Sequence, residues 1–230
     1  MISVDQLTVK DLANLFDHTL LKAYATEADF TALCADARKY GFKMVAINSC
    51  PVSFCKKLLA DTPVHVGAAI SFPLGQTDIA TKCFETQHAI EQGADEIDYV
   101  INIGKAKEGN WAYIREEMKS IVSICREKSI LSKVIFENCY LTKDEIIHLA
   151  QIAKEVRPDF IKTSTGFGTG GATAEDVKLM KSIVGEDVKV KAAGGIRSWT
   201  ACKAMLEAGA ERIGTSSSIR ILEEFQAERG

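Results

Sequence analysis

Apolar, β-prone runs recur along the chain with amphipathic helical stretches between them, the pattern of a parallel sheet built from βα units. Met44-Val-Ala-Ile-Asn48, Val64-His-Val-Gly-Ala-Ala-Ile70 and Val188-Lys-Val-Lys-Ala-Ala193 read as strands, with shorter ones at Phe16-Asp-His-Thr-Leu20 and Arg212-Ile-Gly214. Gly93 to Asn102 supplies the fourth strand, Lys133-Val-Ile-Phe-Glu137 the fifth and the run around Lys162 the sixth. Helical spacing is predicted after Thr26, over about 51–60, up to Gln92, and over 111–128, 143–156, 173–184, 199–208 and from 218. Thr26-Glu-Ala-Asp29 is a capping pattern, Gly93 a helix stop, and Pro158 closes the helix before it. Eight such units predict a closed (β/α)8 TIM barrel, an α/β fold, as a single domain over residues 1–230. In that fold functional side chains gather at the C-terminal ends of the strands.

Composition agrees with this reading without sharpening it. The chain has 230 residues, 47% hydrophobic and 26% charged, with 4 Pro and 16 Gly. That suits one α/β barrel and excludes fibrous or disordered classes. A net charge of −3 speaks against a general nucleic-acid binder. No run approaches the roughly 18 apolar residues of a membrane span, and Met1 to Lys10 lacks a basic, apolar leader. Seven cysteines without a Cys-x-x-Cys pair read as reduced thiols. The expectation is a cytoplasmic protein with no nucleic-acid or membrane partner.

One residue breaks the hydrophobic pattern in a way that points to chemistry. Lys162 interrupts Asp159-Phe-Ile-Lys-Thr-Ser-Thr-Gly166, although burying an ammonium costs several kcal/mol unless it is paired or loses its proton. A lysine paired or snorkelling at a strand end is one reading; an amine kept neutral to attack a carbonyl is the other. Period-two alternation puts Phe160, Lys162 and Ser164 on one face of the sixth strand, and Lys189 and Lys191 on one face of the seventh. Two inward lysines on neighbouring strands would lower the pKa of one, giving a neutral Lys162 beside a protonated Lys191. Asp98 shares a face of the fourth strand with Glu96, Val100 and Asn102 and is the candidate acid and base, or an ion-pair partner of Lys191. Gly166, Gly194-Gly195 and Gly214-Thr-Ser-Ser217 follow strands six, seven and eight, where barrels bind phosphate through backbone amides. The four histidines have no ligand-like spacing, so no metal is assigned.

In order along the chain, Asp17-His-Thr-Leu-Leu21, Phe72-Pro-Leu-Gly75, Gly93-Ala-Asp-Glu-Ile-Asp98, Phe160-Ile-Lys-Thr-Ser-Thr-Gly166, Val190-Lys-Ala-Ala-Gly-Gly-Ile196 and Gly214-Thr-Ser216 resemble the motifs of the deoxyribose-phosphate aldolase family. That resemblance implies a class I aldolase, without metal or organic cofactor, that reversibly cleaves 2-deoxy-D-ribose 5-phosphate to D-glyceraldehyde 3-phosphate and acetaldehyde. It assigns the Schiff base to Lys162 and proton handling to Asp98 and Lys191. Thr19 would line the substrate end, and Gly166, Gly194, Gly195, Gly214, Ser216 and Ser217 would surround the phosphate. It also implies a homo-oligomer, with a dimer favoured. Three features depart from the family pattern: Asn48 is followed by Ser49-Cys50-Pro51 rather than by Pro, Tyr99 stands where a small aliphatic residue is expected, and the C-terminal segment lacks a tyrosine. Two alternatives stand beside this reading, a Schiff-base aldolase for another phosphorylated sugar and a non-catalytic sugar-phosphate binding barrel.

Overall fold

A computed structural model describes residues 3–229; Met1, Ile2 and Gly230, which the expected 1–230 domain includes, lie outside the described residues. Eight strands, β1 (Phe16–Thr19), β2 (Met44–Asn48), β3 (His65–Ile70), β4 (Glu96–Val100), β5 (Leu131–Ile135), β6 (Phe160–Lys162), β7 (Lys189–Ala193) and β8 (Arg212–Thr215), pair in parallel and in sequence order. β8 pairs back onto β1, through Asp17 and Gly214 among others, so the barrel closes as expected and has no free edge.

The helices are started by the chemistry at their first turns. Thr26 accepts from the amide of Asp29 while Asp29 returns a bond to Thr26, and Thr142 and Glu145 repeat the arrangement before the helix Lys143–Val156. Each such cap stabilises its helix by about 1 kcal/mol. Outward-facing strand residues such as Ile47, Ile97, Val190 and Ile213 are fully buried under this helical layer, in one apolar core between sheet and helices. Among the described residues, no helix is long and apolar enough to cross a membrane.

Three details differ from expectation. The fifth strand runs two residues earlier than the Lys133–Glu137 segment, because Glu96 to Val100 of β4 pairs with Leu131 to Ile135. Glu137 itself adopts a left-handed backbone (φ 59°, ψ 62°) just beyond the strand. Short helices at Val9–Ala13 and Ile103–Lys107 are additional to the eight expected, being too brief to show a helical repeat. Asn102 caps the second of them by accepting from the Lys105 amide, so it is not a barrel-facing partner of Asp98.

Candidate active site

The inside of the barrel is ionic. Aliphatic side chains commonly fill such barrels, whereas here the inward positions of six strands carry Asp17, Glu96, Asp98, Lys133, Lys162, Lys191 and Arg212, all at least nine-tenths buried. Arg212 donates to Asp17 at 2.7 Å and to both oxygens of Glu96 at 2.6 Å. Lys133 bridges Glu96 and Asp98 at 2.5 and 2.6 Å, and Lys191 bridges Asp17 and Asp98 at 2.5 Å each. Gly67 leaves room for Met44, which a Cβ there would meet at 2.4 Å and whose sulfur sits 3.6 Å from Lys133 Nζ.

Lys162 is bound differently from the other two lysines. Among the described residues its only carboxylate contact is Asp98 Oδ2 at 3.0 Å, an oxygen that already accepts from Lys191 at 2.5 Å. Burial, followed by the positive charge of Lys191, pulls its pKa down to about 8, with Asp98 acting in the opposite direction. Two carboxylates hold Lys133 in the reverse sense, raising its pKa above the ordinary lysine value against the cost of burial. Burial alone would raise the pKa of Asp98, but the ammonium groups of Lys133, Lys191 and Lys162 more than offset this and hold it well below the usual carboxylate range. The lowered amine pKa matches the expected direction. Its leading cause is desolvation rather than Lys191, and at about 8 only roughly a tenth of the amine is neutral at pH 7.

Above this network an open cavity of about 600 Å³ lies at the C-terminal ends of the strands, and Lys162 is the one member of the seven that lines it. Asp98 and Lys191 are therefore beneath the cavity floor, reaching it through Lys162. Thr19, Gly166, Gly194, Gly195, Gly214 and Ser216 all line the cavity. Gly166, Gly194 and Gly195 have φ of +89°, +88° and +78°, and a Cβ on Gly194 would crowd Gly171 and Ser164 at 3.1 and 3.2 Å. These are backbone positions that glycine takes without strain. Ser217 does not line the cavity: its amide donates to Thr215 Oγ1 and its carbonyl accepts from Ile221 at the start of the last helix.

The cavity also contains groups that sequence reasoning did not select. Lys22 and Arg197 supply cations to its wall, and His18 lines it with its Nδ1 3.1 Å from Ser218 Oγ. Burial lowers the pKa of His18 to about 4 although Asp36 lies 3.9 Å from Nε2. Lys133 carried the same signal as Lys162, a charge in an apolar strand, and Asp17 and Arg212 sit on strands too short to show which face they take. Tyr99, by contrast, is fully buried on the outer face of β4 with the rest of the apolar core and does not line the cavity. Asn48 Nδ2 is 3.5 Å from the Leu21 carbonyl, behind the cavity wall. Among the described residues no group of three His, Cys, Asp or Glu side chains has the spacing to hold a metal ion.

Residues 11–223 match the family model described as DeoC/LacD family aldolase. A protein of Lactobacillus acidophilus named deoxyribose-phosphate aldolase is 60% identical over 214 residues, covering 93% of this chain and 90% of its own length. One of the same name from Thermococcus gammatolerans is 50% identical over 215 residues, covering 93% and 96%. The solved deoxyribose phosphate aldolase of Aeropyrum pernix, described as a unique tetrameric structure, superposes with a TM-score of 0.91 at 32% identity over 98% of this chain and 95% of its own. The closed barrel, the lysine at its mouth and a match spanning nearly the whole chain lead to one conclusion: this protein belongs to the DeoC/LacD family of aldolases.

Proposed function

We propose that the protein reversibly cleaves 2-deoxy-D-ribose 5-phosphate to D-glyceraldehyde 3-phosphate and acetaldehyde through a Schiff base on Lys162. The observation that carries this reading is the inequality among the three buried lysines. Lys133 and Lys191 each contact two carboxylates and lie below the cavity, whereas Lys162 shares one carboxylate oxygen and lines the cavity with its pKa at about 8. Four cations face three carboxylates in this cluster, so loss of a single proton, from Lys162, balances the charge.

The neutral amine attacks C1 of the open-chain sugar, and loss of water from the adduct leaves an iminium. Removal of the C3 hydroxyl proton then turns C3 into a carbonyl while the C2–C3 bond pair moves into the iminium, releasing glyceraldehyde 3-phosphate and leaving an enamine. Protonation at C2 and hydrolysis free acetaldehyde and regenerate the amine. Asp98, held ionised by three ammonium groups, is too weak a base to act alone, so its role is joint with Lys191, whose ammonium shares the same oxygen 2.5 Å away. For the phosphate, Gly166, Gly194, Gly195, Gly214 and Ser216 form one wall, with Lys22 and Arg197 as nearby cations. The substrate and the phosphorylated end come from the names of the relatives; the wall of positive-φ glycines supports them.

The decisive test is reduction with borohydride in the presence of acetaldehyde, followed by peptide mapping. The expected result is an ethyl adduct on Lys162; a folded, reduced sample with Lys162 unmodified would overturn the assignment. Comparing cleavage of deoxyribose 5-phosphate with that of other phosphorylated sugars separates the substrate reading from its alternative. The dimer favoured by resemblance, or the tetramer described for the Aeropyrum pernix relative, is decided by light scattering. A cytoplasmic setting is supported by seven free thiols, of which Cys34, Cys55, Cys125 and Cys202 are buried.

A further inference from the structure

The hydrogen-bonded ladder of β6 ends at Lys162, yet the next five residues must hold a defined shape, because Thr165, Gly166 and Phe167 line the cavity. Backbone bonds secure the first part: Asn138 N–H donates to the Thr163 carbonyl at 2.9 Å, and Thr163 N–H donates to that of Lys191 at 3.2 Å. Beyond Thr163, Ser164 Oγ donates to Thr163 Oγ1 and Phe167 packs edge-on against Phe72, while both hydrogen-bonding groups of Thr165 are held by one side chain. Glu137, only 1% exposed, accepts from the Thr165 amide at 3.1 Å and, with its other oxygen, from the Thr165 hydroxyl. That hydroxyl in turn accepts from the Phe167 amide at 3.0 Å, which closes the turn around Gly166.

The cost of this arrangement is visible in the backbone. Glu137 is left-handed, a conformation that L-residues with a Cβ adopt rarely and glycine adopts freely. A glutamate at such a position, with its carboxylate buried and spent wholly on Thr165, indicates that the side chain is needed there. Gly168 completes the fit, since a Cβ on it would fall 2.6 Å from Cys139 Sγ and 3.2 Å from Glu137 Cδ. Glu137 does not line the catalytic cavity; it borders a neighbouring groove that shares Thr165 and Phe167 with it.

We propose that Glu137 is a positioning residue for the phosphate end of the site, holding Thr165 so that Gly166 keeps its place in the cavity wall. This rests on the reading of Gly166 as part of the phosphate wall. The role is specific to one end of the substrate, because Lys162 is fixed separately by the β5, β6 and β7 ladders and by Asp98.

The test measures kcat and KM for cleavage of deoxyribose 5-phosphate and of unphosphorylated 2-deoxyribose, in the unaltered enzyme and in Glu137→Gln and Glu137→Gly. Glutamine keeps one acceptor but turns a donor toward the Thr165 hydroxyl; glycine relaxes the backbone and removes the clamp. The expected result is a KM for the phosphorylated substrate raised about ten-fold in Glu137→Gly and less in Glu137→Gln, with kcat and the cleavage of 2-deoxyribose changed by less than about three-fold. Equal losses on both substrates, or a KM unchanged in Glu137→Gln and in any folded Glu137→Gly, would overturn the proposal. If the unaltered enzyme itself does not distinguish the two substrates, the phosphate-wall reading falls instead. Borohydride trapping of Lys162 in each variant reports separately that the reacting end is intact.

Discussion

Lys162 and Lys191 are directly paired residues of β6 and β7, and one oxygen of Asp98 accepts from both, at 3.0 and 2.5 Å. Two ammonium groups drawn to one carboxylate oxygen repel each other, and the one with fewer carboxylates is the less stabilised in its charged form. The lysine with the longer contact and one carboxylate, Lys162, is the one whose pKa is lowered to about 8, and it is also the one that meets the cavity.

Replacing Lys162 by Leu removes the proposed nucleophile, so kcat falls on the order of 10⁴-fold or more. Stability moves the other way. A folded-state pKa of about 8 against an ordinary value of 10.5 means that the unfolded chain binds the proton more tightly, so a protonated Lys162 destabilises the fold below pH 8 and progressively less up to about pH 10.5. Urea unfolding at pH 7 is expected to give a midpoint for Lys162→Leu equal to or above that of the unaltered protein. Retained cleavage activity in this variant would remove Lys162 from its role.

Cleavage rate in the unaltered enzyme rises with pH through about 8 as the Lys162 amine is freed. In Lys191→Met the neighbouring cation is gone and Asp98 pairs more fully with Lys162, both of which raise the Lys162 pKa. The midpoint of the alkaline rise is expected to move up by about one unit or more, with activity at pH 7 reduced by about ten-fold or more. A pH–rate profile measured on both proteins checks the shift; an unmoved midpoint would show that Lys191 does not tune the amine.

His18 makes the fold sensitive to acid. Its pKa in the folded protein is about 4 against an ordinary 6.5, so between those values the unfolded state holds the extra proton and stability rises with pH. Above pH 6.5 the effect is absent, and by pH 4 it amounts to about 3 kcal/mol of lost stability. Urea midpoints recorded from pH 4 to 7 are expected to show this slope, and His18→Asn to flatten it.

Behind β4, Lys82 and Glu117 form a fully buried pair at 2.7 Å, with Lys82 also donating to the Val100 carbonyl and Glu117 accepting from the Asn102 amide. Either Lys82→Met or Glu117→Leu strands the other charge and is expected to cost about 3–5 kcal/mol, while the double variant recovers most of that loss. Denaturant titration of the two single variants and the double variant measures the coupling; additive effects would argue against an interdependent pair.

Much of this protein is legible along the chain. Alternating runs of branched apolar residues, the Thr-x-x-Asp and Thr-x-x-Glu caps, and glycines at strand and helix ends define eight βα units by local physics alone, and the misplaced charge of Lys162 marks it as a candidate for chemistry without any structure. The boundaries of β5 were not legible, because its register is set by pairing with Glu96–Val100 and not by its own hydrophobic pattern. Nor was the identity of the charge network: Lys133, Asp17 and Arg212 become partners only when the barrel closes and β8 meets β1. Closure also decides which lysine is unequal. Lys133, Lys162 and Lys191 are alike in sequence, each a lysine within an apolar strand, and differ only in how many carboxylates the other strands bring to them and in whether they reach the cavity. Local sequence determines which residues share a face of a strand, because side chains alternate along it; the tertiary structure decides which face is inside and what the charges there experience, because a pKa depends on burial and on neighbours that are up to 195 residues away in the chain.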